Sequence, residues 1–167
     1  MDYFSTAELM ACGQFEFEQE RFPAALGYFK NALSREDCSN KLNASVARTY
    51  AKLKLFDEAK HHFEVFLEHY PDAYIERFQL GLVFKDLGNE QLALEVFETV
   101  LAQQPEFVPA SYYKALTHLS LEQTESAKFL LNDILSRVEP DNLYVKLTKE
   151  LDEKLGLKLE GLSENIQ

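Results

Sequence analysis

The sequence predicts an all-α fold, a solenoid of helix-turn-helix repeats followed by one further helix. Three observations predict it. Four segments, FPAALGYFKNAL (22–33), FDEAKHHFEVFL (56–67), EQLALEVFETVL (90–101) and TESAKFLLNDIL (124–135), align without gaps. Each carries an alanine at one constant spacing, Ala25, Ala59, Ala93 and Ala127, with Phe29, Phe63, Phe97 or Leu131 four residues later. Upstream, a second small residue recurs in the same register as Gly13, Ala47, Gly81 and Ala115. A small residue on each of two antiparallel helices lets their axes approach, and large neighbours fill the groove between them. Nothing reads as a strand, because the Tyr- and Phe-rich segments keep a helical period.

The first unit, residues 6–39, opens on Ser5 and Glu8, the spacing of a capping box. Pro23 suits the first turn of its second helix. The second unit covers 40–73, the third 74–107 and the fourth 108–140. Pro71 and Pro105 close the second and third, and Pro140 closes the fourth one residue late. Asp57, Gly88-Asn89 and Thr124 mark breaks or N-caps. A ninth helix is expected over 141–155, DNLYVKLTKELDEKL, starting at Asp141. Leu143, Leu147, Leu151 and Leu155 form one stripe and the other side is polar, as the last element of a solenoid requires. Residues 1–155 then form one domain, and 156–167, GLKLEGLSENIQ, a short flexible tail.

This pattern resembles the tetratricopeptide repeat family, whose repeat length and small/aromatic signature match over about residues 5–140. The third unit, with Leu80, Gly81, Phe84, Gly88, Ala93, Phe97 and Pro105, matches best. The chain departs from the family in having no Trp, and in placing Lys114 and His118 where large apolar residues are usual. The resemblance implies a right-handed solenoid of four repeats that holds a segment of a partner protein. One subtype of the family grips the C-terminal carboxylate of heat-shock chaperones with lysines, asparagines and an arginine. The matching positions here are Met10, Gln14, Ser45, Ile75 and Gln79, or one unit later Ala44, Arg48, Gln79, Pro109 and Tyr113. Only Arg48 could serve, so apolar burial is expected to carry affinity instead.

The first helices of stacked repeats line a concave surface. On the faces opposite the packing signature stand Met10, Gln14 and Phe17, then Lys41, Arg48 and Lys52. Ile75, Phe78, Gln79, Leu82 and Lys85 follow in the third unit, and Tyr112, Tyr113 and Leu116 in the fourth. This surface is apolar and aromatic in the third and fourth rows and basic across Lys41, Arg48, Lys52 and Lys85. A contiguous apolar patch on a charged protein marks a binding site. A groove with aromatic anchors and a basic rim suits an extended or helical peptide carrying apolar residues and some acids. The competing reading has Phe78, Leu82 and Tyr112 covered by neighbouring helices.

Other functions find little support. The 167 residues carry a net charge of −11 with the acids spread along the chain, a poor match for nucleic acid or anionic membrane. No apolar run has the length of a membrane span, and the N-terminus lacks a secretory signal. Cys12 and Cys38 read as reduced thiols of a cytoplasmic protein. His61, His62 and His69 share one helix as solvated surface. His62 and His69 face the same way, yet seven residues of helix hold them about 10.5 Å apart, too far for one metal ion. No HExxH, GxGxxG, P-loop or GxSxG occurs, so neither cofactor nor enzymatic activity is expected. The expected function is a non-enzymatic adaptor that binds a peptide or helix of another protein. The alternatives are a chaperone for apolar segments of secretion-system substrates and a self-assembling scaffold. In the scaffold, either the uncapped first unit or the tail residues Leu157, Leu159, Leu162 and Ile166 would dock on a second copy.

Overall fold

The structure is a computed structural model that describes residues 3–160. Among these residues lie nine α-helices and no strand. They are α1 (Thr6–Glu18), α2 (Phe22–Leu33), α3 (Leu42–Lys52), α4 (Phe56–His69), α5 (Tyr74–Asp86), α6 (Glu90–Gln103), α7 (Val108–Ser120), α8 (Thr124–Arg137) and α9 (Leu143–Leu155). The chain divides into two compact units, with the boundary between Leu87 and Gly88.

The first unit holds α1 to α5, each packed on the next. Its small residues sit where the helices come closest. A Cβ built on Gly13 would stand 2.5 Å from the Phe29 ring, so only glycine fits between α1 and α2. Ala25, Ala47 and Ala59 are fully buried, and Phe29 and Phe63 fill the space beside them. Ser5 caps α1 reciprocally: the Glu8 amide donates to Ser5 Oγ at 3.3 Å and the Ser5 amide to Glu8 Oε2 at 2.7 Å. The Asp57 position differs from its sequence reading. It lies inside the first turn of α4, which begins behind Leu55.

The turns within helix pairs carry a regularity that polar sequence hides. Glu20, Lys54, Gly88 and Glu122 recur at the repeat spacing, and all four adopt left-handed φ values between 57° and 74°. Three of them close Schellman-type ends. Arg21 N–H donates to Glu16 O at 2.9 Å, Leu55 N–H to Tyr50 O at 3.0 Å, and Gln123 N–H to His118 O at 2.9 Å. These bonds satisfy carbonyls that the helix end would leave unpaired. Only one of the four positions is the glycine that this conformation favours.

The second unit holds α6 to α9. Ala93, Phe97, Ala115, Ala127 and Leu131 repeat the small/large signature at zero exposure. Thr117 and Thr148 are buried as well, their hydroxyls donating to the carbonyls of Tyr113 and Tyr144 at 2.8 and 2.7 Å. The same arrangement holds Thr49 against Ser45 in the first unit, so these buried polar groups are satisfied. Thr124 is the first residue of α8 rather than its cap. Asn142, not Asp141, caps α9, accepting from the Tyr144 amide at 2.8 Å.

α9 is turned relative to the expected leucine stripe. Val145 and Thr148 are its buried residues, Leu147 and Leu151 are half-buried, and Leu143 and Leu155 are 60% and 51% exposed. The segment after α9 corrects the expectation of a flexible tail from residue 156. Gly156 takes a left-handed φ of 63° and turns the chain back. Leu159, 2% exposed, then enters the core formed by Ala115, Leu131, Ile134 and Val145. Its amide donates to Asp152 Oδ1 at 3.3 Å, and the Glu160 amide to Asn132 Oδ1 at 3.0 Å. The segment docks because a leucine side chain gains about 1.5–3 kcal/mol on burial. With Leu159 used in this way, it offers nothing to a second copy. Leu162 and Ile166 lie outside the described residues.

Candidate functional site

In the first unit, α1, α3, α4 and α5 enclose a cleft of about 400 Å³. Five of the residues expected to meet a partner line it: Phe17, Arg48, Lys52, Gln79 and Leu82. Ala51, Phe63, Val83 and Asp86 complete the lining and escaped the sequence reading. Phe63 was absorbed by the packing pattern, and Ala51 is a small side chain on the cleft wall. Phe17 is fixed as one wall by an edge contact with Phe22, ring centres 5.3 Å apart. Leu82 and Gln79 sit one turn apart on α5, which puts both on one face.

The polar groups of the cleft are unevenly satisfied. Arg48 is held by Glu76 at 3.2 Å and by Ser45 Oγ at 3.2 Å, so it is not a free cation. Gln79 Oε1 is buried and receives no hydrogen bond from the described residues. Lys52 and Asp86 add one charge of each sign.

The remaining expected residues of this unit stand apart from the cleft. Gln14 donates to Glu18 at 2.8 Å and Lys41 sits 5.9 Å from the centre of the Tyr70 ring. Met10 and Lys85 are half-buried, and Ile75 is 47% exposed. Phe78 is 9% exposed, within the core. It follows the competing reading, a covered side chain rather than an open anchor.

The fourth row behaves like Phe78. Tyr112 is 7% exposed, edge-on to Tyr113 at 5.7 Å and tilted against Tyr144 of α9 at 5.4 Å. Burial pushes its hydroxyl above the ordinary tyrosine range, helped by Tyr113, Glu150 and Tyr144. Tyr144 is shifted the same way by burial and Tyr113. Tyr113 and Leu116 pack against the same core. Within the second unit these residues are spent on α9.

The histidines also divide. His61 and His69 are exposed, but His62 is half-buried. It stacks on Tyr50, ring centres 5.5 Å apart, and its Nδ1 lies 2.8 Å from Asn43 Oδ1. Asn43 donates its amide nitrogen to Asn40 O, which leaves Oδ1 as acceptor and places the imidazole proton on Nδ1. Burial, His61 and Lys30 hold His62 below its ordinary value. This is a packed joint between helices and not the solvated surface expected. Among the described residues no group of three His, Cys, Asp or Glu side chains is placed to hold a metal ion. No described helix is long and apolar enough to cross a membrane.

The chain has counterparts among known proteins. Two tetratricopeptide repeat profiles match the sequence, over residues 46–73 and 77–107. No curated protein matches it. Among solved structures, YrrB, reported as a TPR protein with an unusual peptide-binding site, is 22% identical. That alignment covers 87% of this chain and 75% of YrrB with a TM-score of 0.78. TTC0263, a TPR protein of Thermus thermophilus, is 19% identical over 92% of this chain and 84% of its own, with a TM-score of 0.71. The first TPR of Spaghetti (RPAP3), solved with the HSP90 peptide SRMEEVD, is 18% identical. It covers 70% of this chain and 93% of its own, with a TM-score of 0.65.

Proposed function

Because the chain is a tetratricopeptide repeat protein with an all-α solenoid fold, we propose that it is a non-enzymatic adaptor that binds a segment of another protein in the cleft of its first unit. The observation that carries this reading is the cleft itself, open between α1, α3 and α5 and walled by Phe17, Phe63 and Leu82. A folded domain rarely leaves such an apolar concavity unused. The peptide-binding site reported for YrrB and the peptide held by the RPAP3 repeat support a peptide as the class of ligand.

Affinity comes from burying apolar side chains of the partner against this wall. Arg48 is engaged by Glu76, so attraction of an acidic residue on the partner falls to Lys52. The test is capture of the native partner by the wild-type chain and by Leu82→Lys, with crosslinking and mass spectrometry. A charge in the apolar wall is expected to abolish capture while helical content and cooperative melting persist. Undiminished capture by the folded variant would remove the cleft from the account.

A further inference from the structure

The fourth repeat breaks the packing rule of its neighbours at two positions. The second and third repeats bury Val46 and Leu80 and, one turn on, Tyr50 and Phe84. At the same places α7 carries Lys114 and His118, both half-buried. Two apolar side chains thus give way to ionisable ones on one helix face, and the space beside them is left unfilled. Between α7 and α8 lies a cleft of about 420 Å³, lined by Lys114, His118, Glu125, Ser126, Phe129 and Leu130. Lys114 stands two residues from both Tyr112 and Leu116, roughly 200° round the helix. The cleft therefore opens on the side of α7 turned away from those residues. Local packing rules are broken chiefly where a site needs them broken.

The chemistry of the lining selects the occupant. Phe129 is 75% exposed and shares a face of α8 with Glu125, four residues earlier, so an aromatic ring stands beside a carboxylate. The Lys114 ammonium is taken by Glu98 at 3.1 Å. His118 Nδ1 lies 2.6 Å from Gln123 Oε1, which leaves Nε2 of the neutral ring as an acceptor. Glu125 meets Lys128 at 3.7 Å with its side chain 89% exposed, a pairing too weak to withhold it from a better donor. The cleft thus offers an aromatic face and acceptors, and its lysine is already neutralised. The net charge of −11 adds attraction for a cation at longer range. We propose that this cleft is a second binding site, separate from that of the first unit, and that it takes an arginine side chain of a partner protein. The guanidinium stacks on the Phe129 ring and donates to the Glu125 carboxylate, while its methylene stem lies on Leu130. A lysine ammonium is a compact point charge and cannot stack and donate as a planar fork at once.

The test titrates four defined probes into the full chain by NMR. They are acetyl-arginine N-methylamide and the same compound with lysine, citrulline or glutamate in place of arginine. The arginine probe is expected to shift the His118, Ser126, Phe129 and Leu130 resonances. It should bind roughly three- to tenfold more tightly than citrulline, its neutral isostere, with lysine between them. Phe129→Ala changes an exposed side chain, so the fold should persist while the preference is lost. Lys114→Leu combined with His118→Phe restores the packing of the neighbouring repeats; this variant should melt at a higher temperature and no longer bind the arginine probe. Leu82→Lys, in the first unit, should leave that binding unchanged. Citrulline bound as tightly as arginine, a preference for glutamate, or arginine binding that survives Phe129→Ala would each overturn the proposal. So would loss of the arginine probe in Leu82→Lys, or a double variant that melts lower or still binds.

Discussion

The two units of the chain carry the same packing signature and use the opposite helix face differently. In the first, α3 and α5 leave a cleft beside Leu82 and Gln79. In the second, the corresponding residues of α7, Tyr112, Tyr113 and Leu116, are packed with Tyr144 of α9 and with Leu159 beyond it. The signature of small and large residues dictates how two helices pair. Whether the far face stays open depends on what the next segment brings to it, and α9 with its returning tail brings a tyrosine, a valine and four leucines. An open helix face is thus a property of a repeat and its neighbour, not of one repeat.

That contrast can be broken at its filled end first. Leu159→Ala removes a fully buried side chain and should cost about 2–5 kcal/mol of the second unit's stability, read as an earlier transition in chemical denaturation. A neutral effect would mean that residues 157–160 are a passive tail and that the second unit's face is open too. Next comes the shared signature. Gly13→Ala puts a methyl group into the Phe29 ring and should cost about 1–3 kcal/mol, measured the same way; no loss would show that α1 and α2 do not need their close approach.

A smaller effect separates the first unit by pH. His62 is depressed by burial, His61 and Lys30, so the folded state holds its proton less tightly than the unfolded chain. The linked stability is then complete above the ordinary value of 6.5 and is lost as pH falls through the lowered folded value. The denaturation midpoint should fall between pH 8 and pH 5, and His62→Gln should flatten that slope. An unchanged slope would return His62 to the solvated surface. The smallest change is at the turns. Lys54→Gly relieves a left-handed side-chain residue at the cost of a more flexible unfolded chain, a net gain of up to about 1 kcal/mol. Thermal melting of Lys54→Gly beside Glu122→Gly would show whether the turns of both units are equally strained.

Much of this was legible in the residues. Gly13, Ala25 and Phe29 recur because helix pairs cannot close without them, so the fold could be read from spacing alone. Ser5 and Glu8 were readable because a capping box is local. The site was legible only in part. Arg48, Gln79 and Leu82 could be assigned to one face by helical period, but the period does not say that Glu76 holds Arg48. Nor does it say that Tyr144 covers Tyr112, since both contacts join residues far apart in sequence. Glu20, Lys54 and Glu122 read as ordinary polar residues, and their shared left-handed turn has no side-chain signature. Leu159 looked like tail because the glycine before it suggested an end, when Gly156 is the hinge that returns the chain to its core.

The central claim is that a partner occupies the first unit's cleft and leaves the second unit's face closed. Hydrogen exchange of the full chain, free and in its captured native complex, tests this most directly. The account predicts new protection in α3 and α5 around Arg48, Gln79 and Leu82, with α7 and α9 unchanged. New protection centred on Tyr112, Tyr113 and Tyr144, with α3 and α5 unchanged, would contradict it.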